Sequence, residues 1–146
     1  MEFDWVTMGY FSIVVYAIDE IEFWHTRQSG SWQPSWLVIG HSDLGAGELL
    51  LDTDDPNFRV LCSDFCGSDT ETSGPDVWEP AITVATTLDG FLEAFRELKK
   101  LSVGRDSAES LKANPVGAEE RSEFLARIAR ICTDSEGAWF WESRLD

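Results

Sequence analysis

Residues 36–61, WLVIGHSDLGAGELLLDTDDPNFRVL, are apolar in runs too short for helices, and turn chemistry separates the runs. Three successive strands are predicted: Trp36 to Ile39, Glu48 to Asp52 and Phe58 to Cys62. In the first, apolar side chains occupy both alternating faces, which suits a strand buried on both sides. Gly45-Ala46-Gly47 offers the positive φ that a tight reversal needs, and Asp55-Pro56-Asn57 places Asp and then Pro where a type I turn prefers them. An antiparallel meander follows from these three strands and two turns.

Upstream, the β-branched and aromatic run Phe11 to Tyr16 is predicted as the first strand. Ile18 to Trp24 carries Ile18 and Ile21 at helical spacing, with Asp19, Glu20 and Glu22 turned outward, so about two helical turns are expected. Ser29 to Pro34 is loop. Downstream, residues 63–80 are acidic and broken by Gly67, Gly74, Pro75 and Pro80, the most loop-like part of the chain. Loops of that length in a domain usually have work to do. Ile82 to Ala85 is the last central strand. Thr86-x-x-Asp89 then resembles a helix cap, and Leu88, Phe91, Leu92, Phe95 and Leu98 form an apolar stripe. A short helix is expected at Ser107 to Lys112, stopped by Asn114-Pro115, and an amphipathic one from Ala118 to Cys132. Asp134 to Gly137 looks like a turn, after which Ala138 to Glu142 is expected as a final edge strand or a lid over the core.

The same residues carry a family resemblance. Trp36-Leu-x-Ile-Gly40, the Gly45-x-Gly47-acid turn, the run closing on Asp52 and the strand containing Val60 resemble the centre of the SUKH superfamily. Trp78-Glu-Pro80, then Ile82 to Ala85 and Thr86-Thr-Leu-Asp-Gly-Phe-Leu92, resemble its passage from the last central strand into a helix. Tyr16-Ala-Ile-Asp-Glu-Ile21 is similar to its short helical turn, so the resemblance spans about Phe11 to Leu98. It implies an α+β fold: a twisted, mostly antiparallel sheet of about five strands with helices packed on it, as a single domain over residues 1–146. Members usually open with a helical segment ahead of the first strand. Here the chain starts almost at that strand, so a helix is missing or the C-terminal third replaces it.

Composition narrows the functional classes. The net charge is −16, from 27 acidic and 11 basic side chains, a balance that repels nucleic acid and anionic membrane and speeds encounter with basic partners. At 146 residues with 43% apolar content, the chain can bury a sizeable core without disulfide staples. Its three cysteines, Cys62, Cys66 and Cys132, are expected as free thiols in a cytoplasmic protein. The apolar run Met8 to Ile18 follows Glu2 and Asp4 rather than a basic start, and it is too short to span a bilayer.

Chemistry-bearing motifs are incomplete. Cys62-x-x-x-Cys66 lacks a second close pair for zinc, and Asp52-Thr-Asp54-Asp55 continues with Pro56 and Asn57 where a calcium loop needs its glycine and closing Glu. Gly45-Ala-Gly47 precedes a strand-like run instead of a phosphate-binding helix. His25 and His41 are the only histidines, and neither has a nucleophile beside it in sequence. No metal, cofactor or catalytic residue is therefore assigned. The resemblance implies a bacterial immunity protein, non-enzymatic, bound to a cognate toxin that is often a nuclease. The expected contact surface is the acidic loop with Asp64, Asp69, Glu71, Asp76, Trp78 and Glu79, joined by Asp43, Asp54 and Asp55 at neighbouring turns. The alternatives are a regulatory adaptor using the same surface for an endogenous partner, and a hydrolase using His41.

Overall fold

Strand alternation and two bulges account for the sheet. The computed structural model describes residues 4–9, 11–27, 33–42, 47–63, 81–132 and 135–146. Six strands pair antiparallel in chain order as one curled sheet: β1 (Asp4–Met8), β2 (Phe11–Val15), β3 (Trp36–Ser42), β4 (Gly47–Asp52), β5 (Val60–Ser63) and β6 (Ala81–Ala85). Helix α1 (Ile18–Arg27) joins β2 to β3, and α2 (Leu88–Leu101), α3 (Ala108–Ala113), α4 (Ala118–Ile131) and α5 (Ser135–Glu142) follow the sheet before a closing 3₁₀ turn at Ser143–Leu145. The α+β expectation holds, with one strand more. That strand, β1, lies ahead of the expected first strand and alternates buried Val6 and Met8 with outward Trp5 and Thr7.

The centre is buried on both faces, as its sequence required. Trp36, Val38, Leu50 and Leu61 form one cluster, while Ile39, Leu49, Val60 and Cys62 belong to the larger one shared with the helices. The β3–β4 ladder carries a bulge here. Val38 pairs with Leu50 and Gly40 with Leu49, so Ile39 is the extra residue and turns to the opposite cluster from Val38. Its carbonyl faces β2 and accepts the Tyr16 N–H at 2.8 Å, extending the β2–β3 register by one pair. Gly40 beside it is required: a Cβ there would stand 2.0 Å from the Val14 carbonyl oxygen.

Three expectations need correction. Phe58 does not belong to β5; its φ of +53° lies outside strand geometry, and β5 begins at Val60. The cap of α2 is Thr87, whose Oγ1 accepts the Gly90 N–H at 2.9 Å. Thr86 instead donates both its N–H and its hydroxyl to the Ile131 carbonyl. Finally, Ser135–Glu142, expected as the end of a turn and then an edge strand or a lid over the core, is a helix, α5, laid on the core. Gly137, Phe140 and Trp141 fall at i, i+3 and i+4 and are buried, whereas Trp139 faces outward. Glycine in this helix gives close approach, because a Cβ on Gly137 would lie 2.0 Å from the Thr83 oxygen and 2.2 Å from Cys132 Sγ.

Two buried arginines tie the layers together. Arg105 donates to the carbonyls of Leu101 and Asn114 at 2.9 and 2.7 Å and to Glu120 at 3.1 Å, and its own carbonyl accepts the Gly9 N–H. It thereby connects the end of α2, the end of α3, the start of α4 and the β1–β2 turn. Arg144 donates to Ser42 Oγ at 2.8 Å and lies over the rings of Phe11 and Phe140, at 4.6 and 4.2 Å from their centroids.

Gly137→Ala should cost about 2 kcal/mol through overpacking of α5 on β6, read as a lower urea midpoint. The backbone N–H of Gly117, then the Arg105 guanidinium, hold the Glu120 carboxyl below its usual range. A lowered carboxylate pKa contributes stability at neutral pH that is lost as acid protonates the group. Denaturation of Glu120→Gln should therefore show a deficit at pH 7 that shrinks as pH falls below about 4.

Candidate functional site

The β4–β5 connection is an acidic turn built by its own carboxylates. Asp55 N–H reaches the Asp52 carbonyl at 3.3 Å, and Phe58 N–H closes a second turn on the Asp55 carbonyl at 3.0 Å, with Pro56 at its first corner. The Asp55 carboxylate accepts from the N–H groups of Asn57 and Arg59 at 3.1 and 3.0 Å. Asp52, itself buried, accepts from the Asp54 N–H at 3.1 Å and from Arg59 Nε at 2.9 Å. Thr53 fastens the turn to the residue that leads into β3, donating its N–H and hydroxyl to the Ser35 carbonyl. The turn is thus rigidly specified.

What it displays is less expected. Phe58 leaves 47% of its surface in solvent and adopts the left-handed region, which costs a side-chain-bearing residue roughly 1–2 kcal/mol. Hairpin loops often re-enter a strand through such a residue, but glycine usually occupies it. Asp54 beside it is exposed, and among the described residues no cation pairs with Asp54 or Asp55. Sequence reasoning assigned Asp54 and Asp55 to the surface and Phe58 to a buried strand.

Of the other expected contact residues, Asp43, Asp64, Asp69, Glu71, Asp76, Trp78 and Glu79 lie outside the described residues, as do Gly45 and Cys66. Ser42 and Ser63, the last described residues before 43–46 and 64–80, stand at the end of the sheet opposite the 52–59 turn. The six residues of β4 separate the two ends by about 20 Å.

The distribution of charge is uneven in a way the whole-chain count conceals. Residues 1–87, which supply the sheet and α1, hold 15 acidic side chains against Arg27 and Arg59 alone; residues 88–146, the later helices, hold 12 against nine. Net charge is therefore −13 in the first part and −3 in the second. Within the helices, cations are met locally: Lys100 by Glu97, Arg105 by Glu120, Arg121 by Glu142 and Asp146, Arg127 by Glu93 and Glu97. Lys99 reaches across to Asp4 on β1. This segregation was legible in the sequence once the chain was divided at the sheet–helix boundary.

His41 sits inside the sheet. Its Nδ1 shares a 2.7 Å hydrogen bond with the Tyr16 hydroxyl, and Glu48 is its cross-strand partner on β4. The hydroxyls nearest in the sheet are buried and engaged: Ser42 Oγ accepts from Arg144, and Ser63 Oγ accepts the Glu48 N–H at 2.8 Å. The Tyr16 hydroxyl orients the imidazole. The side chain of His25 lies outside the described residues. Cys62 and Cys132 are buried free thiols, on separate elements. Among the described residues no three of His, Cys, Asp and Glu are grouped to hold a metal, and no helix is long and apolar enough to cross a membrane.

Comparison of the chain with known families, with curated proteins and with solved structures returns no match.

Asp55→Ala removes the acceptor of two backbone N–H groups, so the turn should lose about 1–2 kcal/mol of local stability. Faster amide hydrogen exchange at Asn57 and Arg59, with little change at β3, is the expected readout.

Proposed function

We propose that this protein is a non-enzymatic, cytoplasmic immunity protein of SUKH type that binds and neutralises a basic toxin through the acidic surface of its sheet-bearing part. The observation that carries the reading is the segregated charge, −13 in residues 1–87 against −3 in the helices that follow. Such a field orients an approaching cationic surface toward one side of the molecule and accelerates productive encounter. The resemblance of residues 11–98 to the SUKH superfamily supports a binding role. Where the toxin is a nuclease, carboxylates presented to its cleft or to an exosite occupy positions that substrate phosphates would take. The proposed contacts are Asp54 and Asp55 at the ordered turn, together with Asp43, Asp64, Asp69, Glu71, Asp76, Trp78 and Glu79.

Stopped-flow association with the product of the adjacent gene tests this. The on-rate should approach about 10⁸ M⁻¹s⁻¹ at low salt and fall steeply as the Debye length shortens to about 8 Å. Two variants with equal charge change should then differ. Asp69→Asn with Glu71→Gln should slow association several-fold, whereas Glu119→Gln with Glu123→Gln, on exposed positions of α4, should leave it nearly unchanged. A salt-independent on-rate, or equal slowing by both pairs, would overturn the reading.

A further inference from the structure

We infer that Phe58 is the apolar anchor of the partner interface, entering a pocket on a protein surface that is bordered by lysine or arginine side chains. The inference rests on the proposed function and names the chemistry of that partner's surface. Folding does not account for this residue. The ring belongs to neither hydrophobic cluster and is about half exposed. Its backbone is the only left-handed one among the described non-glycine residues. Every side-chain hydrogen bond that shapes the turn comes from a neighbour: Asp52, Thr53, Asp55 and Arg59. Glycine at position 58 would satisfy the same turn without the conformational cost.

Trp5, Phe23, Val103 and Trp139 are also exposed, but none of them has a left-handed backbone. Exposure at Phe58 is therefore joined to a local cost, and a rigid aromatic held at a fixed angle loses little entropy when it is buried by a partner. Interface hot spots are commonly such anchors, surrounded by polar groups that exclude water. The character of the surrounding groups fixes the partner's rim. Among the described residues no cation pairs with the exposed Asp54, Asp55 adds a second carboxylate, and the turn's own cation, Arg59, is committed to Asp52. A basic rim complements this arrangement and an acidic rim would be repelled.

The test compares the wild-type protein with Phe58→Gly, using stopped-flow binding to the purified product of the adjacent gene and thermal melting of the free protein. Phe58→Gly should melt at or above the wild-type temperature, because it relieves the left-handed strain. It should associate within about twofold of the wild-type rate, since no charge changes, and dissociate at least tenfold faster. Unchanged dissociation would remove Phe58 from the interface while leaving the proposed function intact. A lower melting temperature would show that the ring serves the fold and would overturn the inference. If the wild-type protein itself fails to bind that product, the proposed function falls, and the anchor falls with it.

Discussion

Among the described strands β6 ends the meander, and the way α5 packs on it determines how the helices can sit. The ladder between β5 and β6 slips at Val84: Val60 pairs with Ala85 and Leu61 with Thr83, so Val84 has no opposite number. Its buried carbonyl would be costly without a donor. The indole Nε1 of Trp141 donates to it at 2.8 Å, and Cys132 Sγ reaches the neighbouring Thr83 carbonyl at 3.3 Å. Trp141 is fully buried and packs on Phe91 of α2 and edge-on against Phe140, so one side chain satisfies the bulge and seals the helical layer. Gly137 is what lets α5 come near enough for that bond to form.

Closing the other side of the molecule uses cations. Arg105 and Arg144 are buried among carbonyls, hydroxyls and aromatic rings, while Lys100 and Arg127 meet acids of α2 and Lys99 meets Asp4 on β1. The segment that supplies the sheet has only Arg27 and Arg59 against 15 acidic side chains, so its net charge stays far from zero. Exposed pairs in the helices add little stability each. Their larger consequence is this separation of charge.

The 52–59 turn shows how rigidity and display are combined. Carboxylates that elsewhere face solvent here accept backbone N–H groups, and the Asp52–Arg59 pair braces the hairpin from its buried side. The bracing holds Phe58 in a backbone region that its own side chain disfavours. Strain that the surroundings maintain at an exposed aromatic is the pattern expected where recognition, rather than packing, chose the residue.

Much of this was written in short-range chemistry. Apolar runs of four to six residues on both faces specify central strands, Asp-Pro-Asn specifies the β4–β5 turn, and the stripe Phe91, Phe95 and Leu98 specifies α2; each depends on neighbours within one or two turns. The acidity of the surface and the assignment of Asp54 and Asp55 to it needed no tertiary information either. Other features did. Ala138 to Glu142 has the aromatic content of a strand, and only the unpaired Val84 carbonyl and the space beside Thr83 show why it is helical. Phe58 looked like the first residue of a strand because nothing local reveals that the carboxylates of Asp52 and Asp55 fold the chain back one residue later. Local periodicity is a property of the chain, so the sequence determined which segments are strands and which are amphipathic helices. Which carbonyl lacks a donor, which glycine stands against a foreign backbone and which aromatic is left outside are properties of contacts between distant segments, and those the tertiary structure decided.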